Sequence, residues 1–385
     1  MGPTILLDKS ALQSLSREEI GFLEKHYYLL IPPVLIYEIL GDLSKYEGKE
    51  EEFTTIARKL FGVDSRINLN QRYLCLLSLF GYSIPMEGMP ITDPGVELTT
   101  STGEKGRFVD EPAERKLVRK WQEGKYSLVE RAISQGWRRI TKSFDMENYK
   151  REFTKANKDL PKADSLQMTY LNVHNLTMNI NNQDFYFRLL VNEGDFTPNQ
   201  KSVIYLRWIK RKDSFLCDFA PYAYYCLQVF LTFHFGLAND LITTRRTNPI
   251  DLEYLYYLPF CMVFCSGDNF QKCLSEIFLG REKDFVSGAT LKTDLAWIKD
   301  DFFGLSETEK EKRFYEFGSY PPLNPQSITY QLWHKHIGPW ESGKYGNIKM
   351  SKEDEKRLFE QMQPMLDAIK NHEGKSQGHS DIGPK

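Results

Sequence analysis

Short apolar runs alternate with amphipathic segments over the first 45 residues. Thr4–Leu7 and Tyr27–Ile31 are apolar runs of strand length. Between them, Ser16-Arg-Glu-Glu has the form of a capping box that opens a helix. Pro32-Pro33 then begins a second helix that runs to about Ser44. The pattern predicts the order strand, helix, strand, helix.

The same alternation returns after residue 219. Ala220–Leu237 and Pro249–Leu258 are predicted helices, and Phe260–Cys265 is a predicted strand. We therefore expect one α/β domain in two parts, separated by an insertion of 173 residues and followed by a helical extension with a disordered tail in its last dozen residues. The boundaries are 1–45 and 219–301 for the domain, 46–218 for the insertion and 302–385 for the extension.

The predicted insertion has mixed α/β character. Apolar and charged periodicity predicts helices, a stretch rich in Pro, Gly and Thr predicts a long loop, and clusters of β-branched and aromatic residues predict strands. These are, in turn, helix at 58–80 and 111–158, loop at 82–107, and strands at 171–180, 185–191 and 202–210.

Composition excludes several classes of protein. With 41% hydrophobic and 14% aromatic residues among 385, the chain is not wholly disordered. Its formal net charge of −2 excludes nucleic-acid binding through bulk charge alone. Its longest nearly apolar runs, 27–37 and 254–265, are too short for a membrane span of about 20 residues. The first eight residues lack the basic start of a signal peptide, so we expect a cytoplasmic protein without a membrane contact.

Cysteine spacing argues against a zinc site or a disulfide framework. The six cysteines show no CxxC pair and lie mostly within apolar stretches. We therefore expect reduced thiols in the core. They are Cys75, Cys217, Cys226, Cys261, Cys265 and Cys273.

Four carboxylates stand at strand ends or within apolar helix: Asp8, Glu38, Asp251 and Asp268. Each has a structural alternative. Asp8 could cap a helix, and Glu38 could lie on the polar stripe of an amphipathic helix. Asp251 could interact with the dipole at the start of a helix, and Asp268 could belong to a turn. Together, however, they are expected to meet at one edge of a parallel sheet, where open α/β folds bind ligands.

Crowded carboxylates need positive charge between them. Four acids in one place repel one another unless divalent cations lie among them. Oxygen ligands without Cys or His favour Mg²⁺ or Mn²⁺. Such a site is suited to phosphoryl transfer, because the cations bind a phosphodiester and activate an attacking water.

The order of these acids resembles that of PIN-domain ribonucleases. Leu6-Leu-Asp-Lys-Ser-Ala-Leu12 is similar to their opening "LLDTSAL", and Leu35–Leu40 is similar to the segment with their second-helix glutamate. Asp251–Pro259 followed by Met262–Phe270 resembles their "DALIAATALEHGLPLVTRDxxF" segment. The resemblance covers about 80 residues, roughly 1–44 and 240–275.

The resemblance implies a three-layer α/β/α fold with a central parallel sheet and a site that cleaves single-stranded RNA with Mg²⁺ or Mn²⁺. It implies Asp8, Glu38, Asp251 and Asp268 as metal ligands and Ser10 as a hydrogen-bond support for Asp8. The chain departs from the family because Glu38 and Asp251 lie 213 positions apart, more than twice the separation in compact members. If the register is shifted, Asp240 and Glu253 replace Asp251.

Basic and aromatic stretches are candidate nucleic-acid contacts. The stretch Arg115–Lys142 contains nine basic residues and only two acidic ones, with aromatic residues among them. The aromatic segment Trp333–Tyr345 suits a nucleic-acid contact or a protein partner equally well. An ordinary solvated face is the alternative for each stretch. The specific residues predicted to hold RNA are Arg207, Trp208, Lys210, Arg211, Arg245 and Arg246.

The predicted function is that of a PIN-like, metal-dependent endonuclease that hydrolyses phosphodiester bonds at a four-carboxylate Mg²⁺ or Mn²⁺ site. The family resemblance implies RNA as the substrate. Two alternatives remain open from the residues. One is a catalytically silent PIN-like scaffold that binds a protein partner through the insertion or the extension. The other is a nuclease specific for DNA structures, which shares the acids and differs in substrate.

Overall fold

The computed structural model describes most of the chain. Only the backbone is described for 371–377, and the predicted disordered tail lies mostly outside the described residues. Those residues are 2–60, 66–101, 103–109, 111–211, 215–347 and 350–377.

Short strands and many helices form the described structure. The strands are β1 Thr4–Leu7, β2 Tyr28–Ile31, β3 Arg66–Ile67, β4 Val96–Thr99, β5 Lys105–Phe108, β6 Val263–Ser266 and β7 Asp284–Ser287. The helices are α1 Lys9–Ser14, α2 Arg17–His26, α3 Pro33–Asp42, α4 Glu50–Ala57, α5 Gln71–Phe80, α6 Ala113–Gln122, α7 Leu128–Ser143, α8 Met146–Ala156, α9 Leu166–Thr177, α10 Gln183–Glu193, α11 Pro198–Lys210, α12 Leu216–Phe219, α13 Pro221–Ala238, α14 Asn248–Leu255, α15 Asn269–Phe278, α16 Gly288–Phe303, α17 Glu307–Phe317, α18 Ile328–His336 and α19 Lys352–Gln377.

A parallel sheet forms the centre of the molecule. In the described part of the chain it has five strands in the order β3-β2-β1-β6-β7. Ile5 in β1 is paired with Leu29 on one side and with Val263 on the other. The strands β1, β2 and β6 are buried along their whole length, as expected for a parallel sheet covered by helices on both faces. The architecture is α/β, consistent with three layers.

The elements predicted for the start of the chain are confirmed. Ser16 and Glu19 form the expected capping box at the start of α2. Pro33 is the first residue of α3, where its missing N–H leaves no hydrogen bond unmade. The predicted helix at 220–237 is also present, as α13. The predicted strand at 260–265 is present as β6, but it begins three residues later and includes Ser266.

The first part of the predicted insertion contributes to the central sheet. β3 lies within the predicted helix at 58–80 and pairs with β2 at the sheet edge, so a continuous helix there is wrong. β4 and β5 form an antiparallel hairpin within the predicted loop at 82–107. The division of the chain into domains otherwise stays a prediction.

The predicted strands at 171–180, 185–191 and 202–210 are wrong, because these residues belong to α9, α10 and α11. Buried positions recur there at helical spacing, for example Ile204 and Trp208 in α11. Thr197 caps α11, and Pro198 follows at its first position. Packing at a helical period therefore outweighs the strand preference of the aromatic and β-branched residues.

Asp294 of α16 anchors the helical extension. Its carboxylate accepts hydrogen bonds from the backbone N–H of Ile328 at 3.1 Å and Thr329 at 2.9 Å. The hydroxyls of Ser327 and Thr329 also donate to it, at 3.1 and 2.6 Å. This satisfies the N-terminus of α18, whose Trp333 is buried against the main domain.

Most cysteines lie in the core as predicted, but Cys273 is exposed on α15 and Cys217 is half-buried. All six are free thiols. None of the helices in the described residues has the length and apolar character needed to cross a membrane.

Two buried histidines make stability dependent on pH. Burial lowers the pKa of His26 to about 3 and that of His234 to about 4, both below the unfolded value of about 6.5. Because the unfolded chain binds these protons and the folded chain does not, the free energy of unfolding falls as the pH drops below 6.5. We expect each histidine to account for a loss of about 2 kcal/mol between pH 7 and pH 5.

Urea unfolding at the two pH values measures this loss. The variant His26→Asn keeps a donor for the Ser319 carbonyl, which Nδ1 of His26 contacts at 2.8 Å. Its pH-dependent loss should be smaller than that of the wild type by about 2 kcal/mol. An equal loss in both proteins would contradict the assignment to His26.

Candidate functional site

Asp8 lies at the carboxyl end of the central strand β1. Its backbone N–H donates to the Cys265 carbonyl at 3.1 Å, which ties it to the end of β6. The Asp8 carboxylate accepts hydrogen bonds from the hydroxyls of Ser10 at 2.8 Å and Ser266 at 2.9 Å, and from the Ala11 N–H at 2.7 Å. Burial raises its pKa, although these three donors favour the charged form. Asp8 is therefore held in one orientation, and Ser10 supports it as predicted.

Asp268 follows β6 and faces the same edge of the sheet. Its Oδ1 accepts from the Phe270 N–H at 2.7 Å, and its own N–H donates to the Ser266 hydroxyl at 2.9 Å. Its Oδ2 lies 2.5 Å from Nη1 of Arg245. Ser266 thus bonds to both Asp8 and Asp268, and it links the ends of the two strands.

Glu38 lies on α3 and is held by helix α14. The Tyr254 hydroxyl donates to Glu38 Oε2 at 2.6 Å, and Lys9 Nζ lies 3.6 Å from Oε1. The same lysine lies 3.1 Å from Asp42. Burial raises the pKa of Glu38, while Lys9 and Tyr254 oppose that shift. The alternative of a solvated polar stripe is wrong, because the Glu38 side chain is only 13% exposed.

Asp251, in the first turn of α14, has a carboxylate oxygen without a partner. Its Oδ2 is buried and forms no hydrogen bond with the described residues. Burial, followed by the negative charges of Glu38 and Asp268, raises the pKa of Asp251 to about 7. Arg245 opposes this shift, and Asp8 adds to it. An unpaired buried carboxylate among like charges is the kind of group that a cation would stabilise.

The structure therefore brings together all four predicted acids. Asp251 interacts electrostatically with Glu38, Asp268 and Asp8, although the four come from distant parts of the chain. Lys9 and Arg245 provide positive charge from within the protein. Within the described residues, no group of three or more His, Cys, Asp and Glu side chains is arranged so that it could hold a metal ion as it stands.

The donor set nevertheless fits a hard divalent cation. All four groups are carboxylates, which Mg²⁺ and Mn²⁺ prefer. The unpartnered Oδ2 of Asp251 and the mutual repulsion of the acids are the observations that favour this fit. For Asp268 to take part through Oδ2, its bond to Arg245 must open.

The structural alternative predicted for Asp8, a helix cap, is also correct, and Asp268, whose predicted alternative was a turn residue, is a helix cap as well. Asp8 caps α1 through the Ala11 N–H, and Asp268 caps α15 through the Phe270 N–H. Each cap uses Oδ1 of its carboxylate. The two acids thus combine a capping role with a position at the shared edge.

The predicted RNA contacts at the end of α11 differ in their exposure. Arg207 donates to the carbonyls of Leu79 and Phe219, both at 2.8 Å. Trp208 is 9% exposed and stacks on Phe187 with 4.4 Å between ring centroids. Contrary to the prediction, Trp208 is therefore not free to stack on a base, whereas Arg207 is half-buried and already engaged by two backbone carbonyls. Lys210 and Arg211 are exposed.

Arg245 and Arg246 lie beside the acids. Arg245 binds Asp268, and Nη1 of Arg246 donates to the Lys142 carbonyl at 2.8 Å. Arg246 therefore joins the site to α7, which belongs to the basic stretch at 115–142. A role for either arginine in RNA binding stays a prediction.

The reserve candidates lie elsewhere. Asp240 is exposed in a turn with φ of 62° and pairs with Lys150. Glu253 lines a cavity of about 230 Å³ beside Arg72, between α5, α10, α13 and α14. Neither therefore lies with Glu38 and Asp268 as Asp251 does.

Sequence reasoning missed the groups that position the acids. Ser266 lies in the Ser-Gly-Asp turn, where its strand-end position was a usable signal. The pairings of Tyr254 with Glu38 and of Arg245 with Asp268 depend on packing between distant elements. Gly267 allows the close approach of that turn to α1, since a Cβ there would lie 2.9 Å from Oγ of Ser10.

Comparison with known proteins gives no further guide to this site. No protein-family model matches the chain. No match is found among curated proteins or among solved structures. Any functional assignment therefore depends on the residues and geometry described above.

Proposed function

We propose that the protein is a PIN-like, metal-dependent endoribonuclease that hydrolyses phosphodiester bonds in single-stranded RNA. The observation that carries the proposal is the convergence of Asp8, Glu38, Asp251 and Asp268 at the carboxyl edge of a parallel sheet. The unpartnered Oδ2 of Asp251 supports it further. The choice of RNA and the name of the family depend on the sequence resemblance.

Each side chain has a distinct part in this proposal. Asp8, Glu38, Asp251 and Asp268 would hold Mg²⁺ or Mn²⁺, which when bound supplies Lewis-acid stabilisation of the phosphodiester and lowers the pKa of water. Ser10 and Ser266 fix the orientation of Asp8, and Tyr254 fixes that of Glu38. Such preorganisation keeps the carboxylates in place while charge develops on the substrate.

Cleavage assays on labelled single-stranded RNA, single-stranded DNA and both duplexes test the proposal. With Mg²⁺ or Mn²⁺ we expect cleavage of single-stranded RNA and its loss on addition of EDTA, because the carboxylates alone do not neutralise the phosphodiester. Cleavage of DNA structures alone would instead favour the DNA-specific alternative. The proposal is wrong if no substrate is cut with either metal.

A silent scaffold that binds a protein partner is the second candidate. It is favoured by the bonds that Lys9 and Arg245 already make to Glu38 and Asp268. Thermal unfolding with increasing Mn²⁺ separates the two, because a cation bound only by the folded state raises the melting temperature. No shift at millimolar Mn²⁺ would favour the scaffold. The cytoplasmic location and a partner on the insertion or extension stay predictions.

A further inference from the structure

A small apolar slot lies next to the acids. It is a cavity of about 160 Å³ between α7 and the start of α14. We call it the α7 slot, and Ile250 in its wall directly precedes Asp251. Arg246 in its wall directly follows Arg245, which binds Asp268. The α7 slot is lined by Trp137, Ile140, Thr141, Phe144, Arg246, Pro249 and Ile250.

The size and lining of the α7 slot suit one flat ring. A cavity of about 150 Å³ in another protein takes up benzene, so this volume accommodates a ring of similar size. Two of the lining side chains, Trp137 and Phe144, are aromatic. Phe144 is 37% exposed and Ile140 is 69% exposed, so the slot is accessible from solvent.

Unpaired positive charge lies beside the α7 slot. Among the described residues, no ion pair or hydrogen bond involves the side chains of Arg138, Arg139 or Lys142, which lie on α7. Other cations nearby do have acidic partners, since Arg131 lies 3.4 Å from Glu50 and Lys150 pairs with Asp240. Proteins that bind single-stranded nucleic acids combine cations, which contact the phosphates, with aromatic side chains, on which the bases stack. The α7 slot and its neighbouring cations provide both.

We infer that the α7 slot binds one unpaired base of a single-stranded nucleic acid while Arg138, Arg139 and Lys142 contact the adjacent phosphates. The strand then continues past Ile250 towards Asp251 and Asp268. A base inside a duplex is stacked and does not enter such a slot, which gives the site a preference for single strands. The inference rests on the proposed function, because it specifies the substrate of the same site.

Binding without cleavage tests the inference. The probes are fluorescein-labelled 12-nucleotide single-stranded RNA and the corresponding duplex, measured by fluorescence anisotropy in EDTA. We expect the single strand to bind more tightly, and Phe144→Ala to weaken its binding about ten-fold through lost stacking. The double variant Arg138→Ala, Lys142→Ala should reduce the dependence of affinity on salt.

Control variants separate binding from folding. Ile133→Ala lies on the same helix, is 46% exposed and does not line the slot, so it should bind RNA like the wild type. Ile140→Asp places a negative charge at the exposed rim and should weaken binding even if Phe144→Ala is poorly folded. Equal affinity of the wild type and both slot variants, or equal binding of duplex, overturns the inference.

The outcomes also distinguish this inference from the proposed function. If slot-dependent RNA binding is found but Mn²⁺ produces no cleavage, the inference that the α7 slot binds a base is supported and the proposed hydrolysis is wrong. If RNA is cleaved while the slot variants keep wild-type affinity and KM, the proposed function is supported and the inference about the slot is wrong. A slot that binds tryptophan-containing peptide in preference to RNA also overturns it.

Discussion

Replacing Asp8 or Asp251 with asparagine is expected to reduce RNA cleavage at least about 1,000-fold. Both substitutions keep the size of the side chain and remove its charge. Cation-assisted catalysis supplies several kcal/mol of transition-state stabilisation, and a loss of about 4 kcal/mol corresponds to a factor of about 1,000. The rate of cleavage of labelled single-stranded RNA under single-turnover conditions measures the effect.

Glu253→Gln is the matched control for Asp251→Asn. Both residues lie on α14, but Glu253 lines the separate cavity beside Arg72. Its substitution should leave the cleavage rate unchanged. In the absence of metal, the melting temperature of Asp251→Asn should be no lower than that of the wild type, because the substitution removes repulsion from Glu38 and Asp268. Activity retained by Asp251→Asn, or lost equally by Glu253→Gln, would contradict the proposed site.

Asp294→Ala is expected to destabilise the protein by about 3 kcal/mol. The substitution leaves the N–H groups of Ile328 and Thr329 at the start of α18 without their acceptor. Hydrogen bonds to charged groups contribute about 1.5–3 kcal/mol each, and unsatisfied buried donors add a further penalty. The urea midpoint of unfolding measures the change, and amide hydrogen exchange shows whether α18 opens first.

Asp300→Ala provides the control on the same helix. The Asp300 side chain is exposed on α16 and lies 3.7 Å from Lys299. Surface ion pairs of this kind contribute little, so a change below about 1 kcal/mol is expected. If Asp294→Ala were equally mild, α18 would not depend on the carboxylate for its attachment.

The elements nearest the site were the most predictable. Apolar runs of four or five residues, together with the Ser16 cap and the paired prolines, indicated β1, α2, β2 and α3 from local chemistry alone. The acids could be placed relative to these elements because a strand end is a local property. Their convergence could be inferred because parallel strands end at one edge of a sheet.

The remainder depends on contacts between distant residues. The strand β3 has only two residues, too few for a recognisable apolar run, and it is defined only by its pairing with β2. Trp208 looked suitable for base stacking, yet the position of α10 places it on Phe187. Likewise, no local pattern shows that Arg245 binds Asp268 instead of a phosphate.

When only the first half of this chain has been translated, β1 still lacks one of its two neighbouring strands. β1 pairs with β6, and Ser266, which orients Asp8, is separated from it by 258 positions. Nascent or truncated chains that stop before β6 consequently lack Ser266 and Asp268, two of the groups at the sheet edge. If the completed site cuts RNA, no such activity is possible during translation until Asp268, the last of the four acids in this chain of 385 residues, has been synthesised.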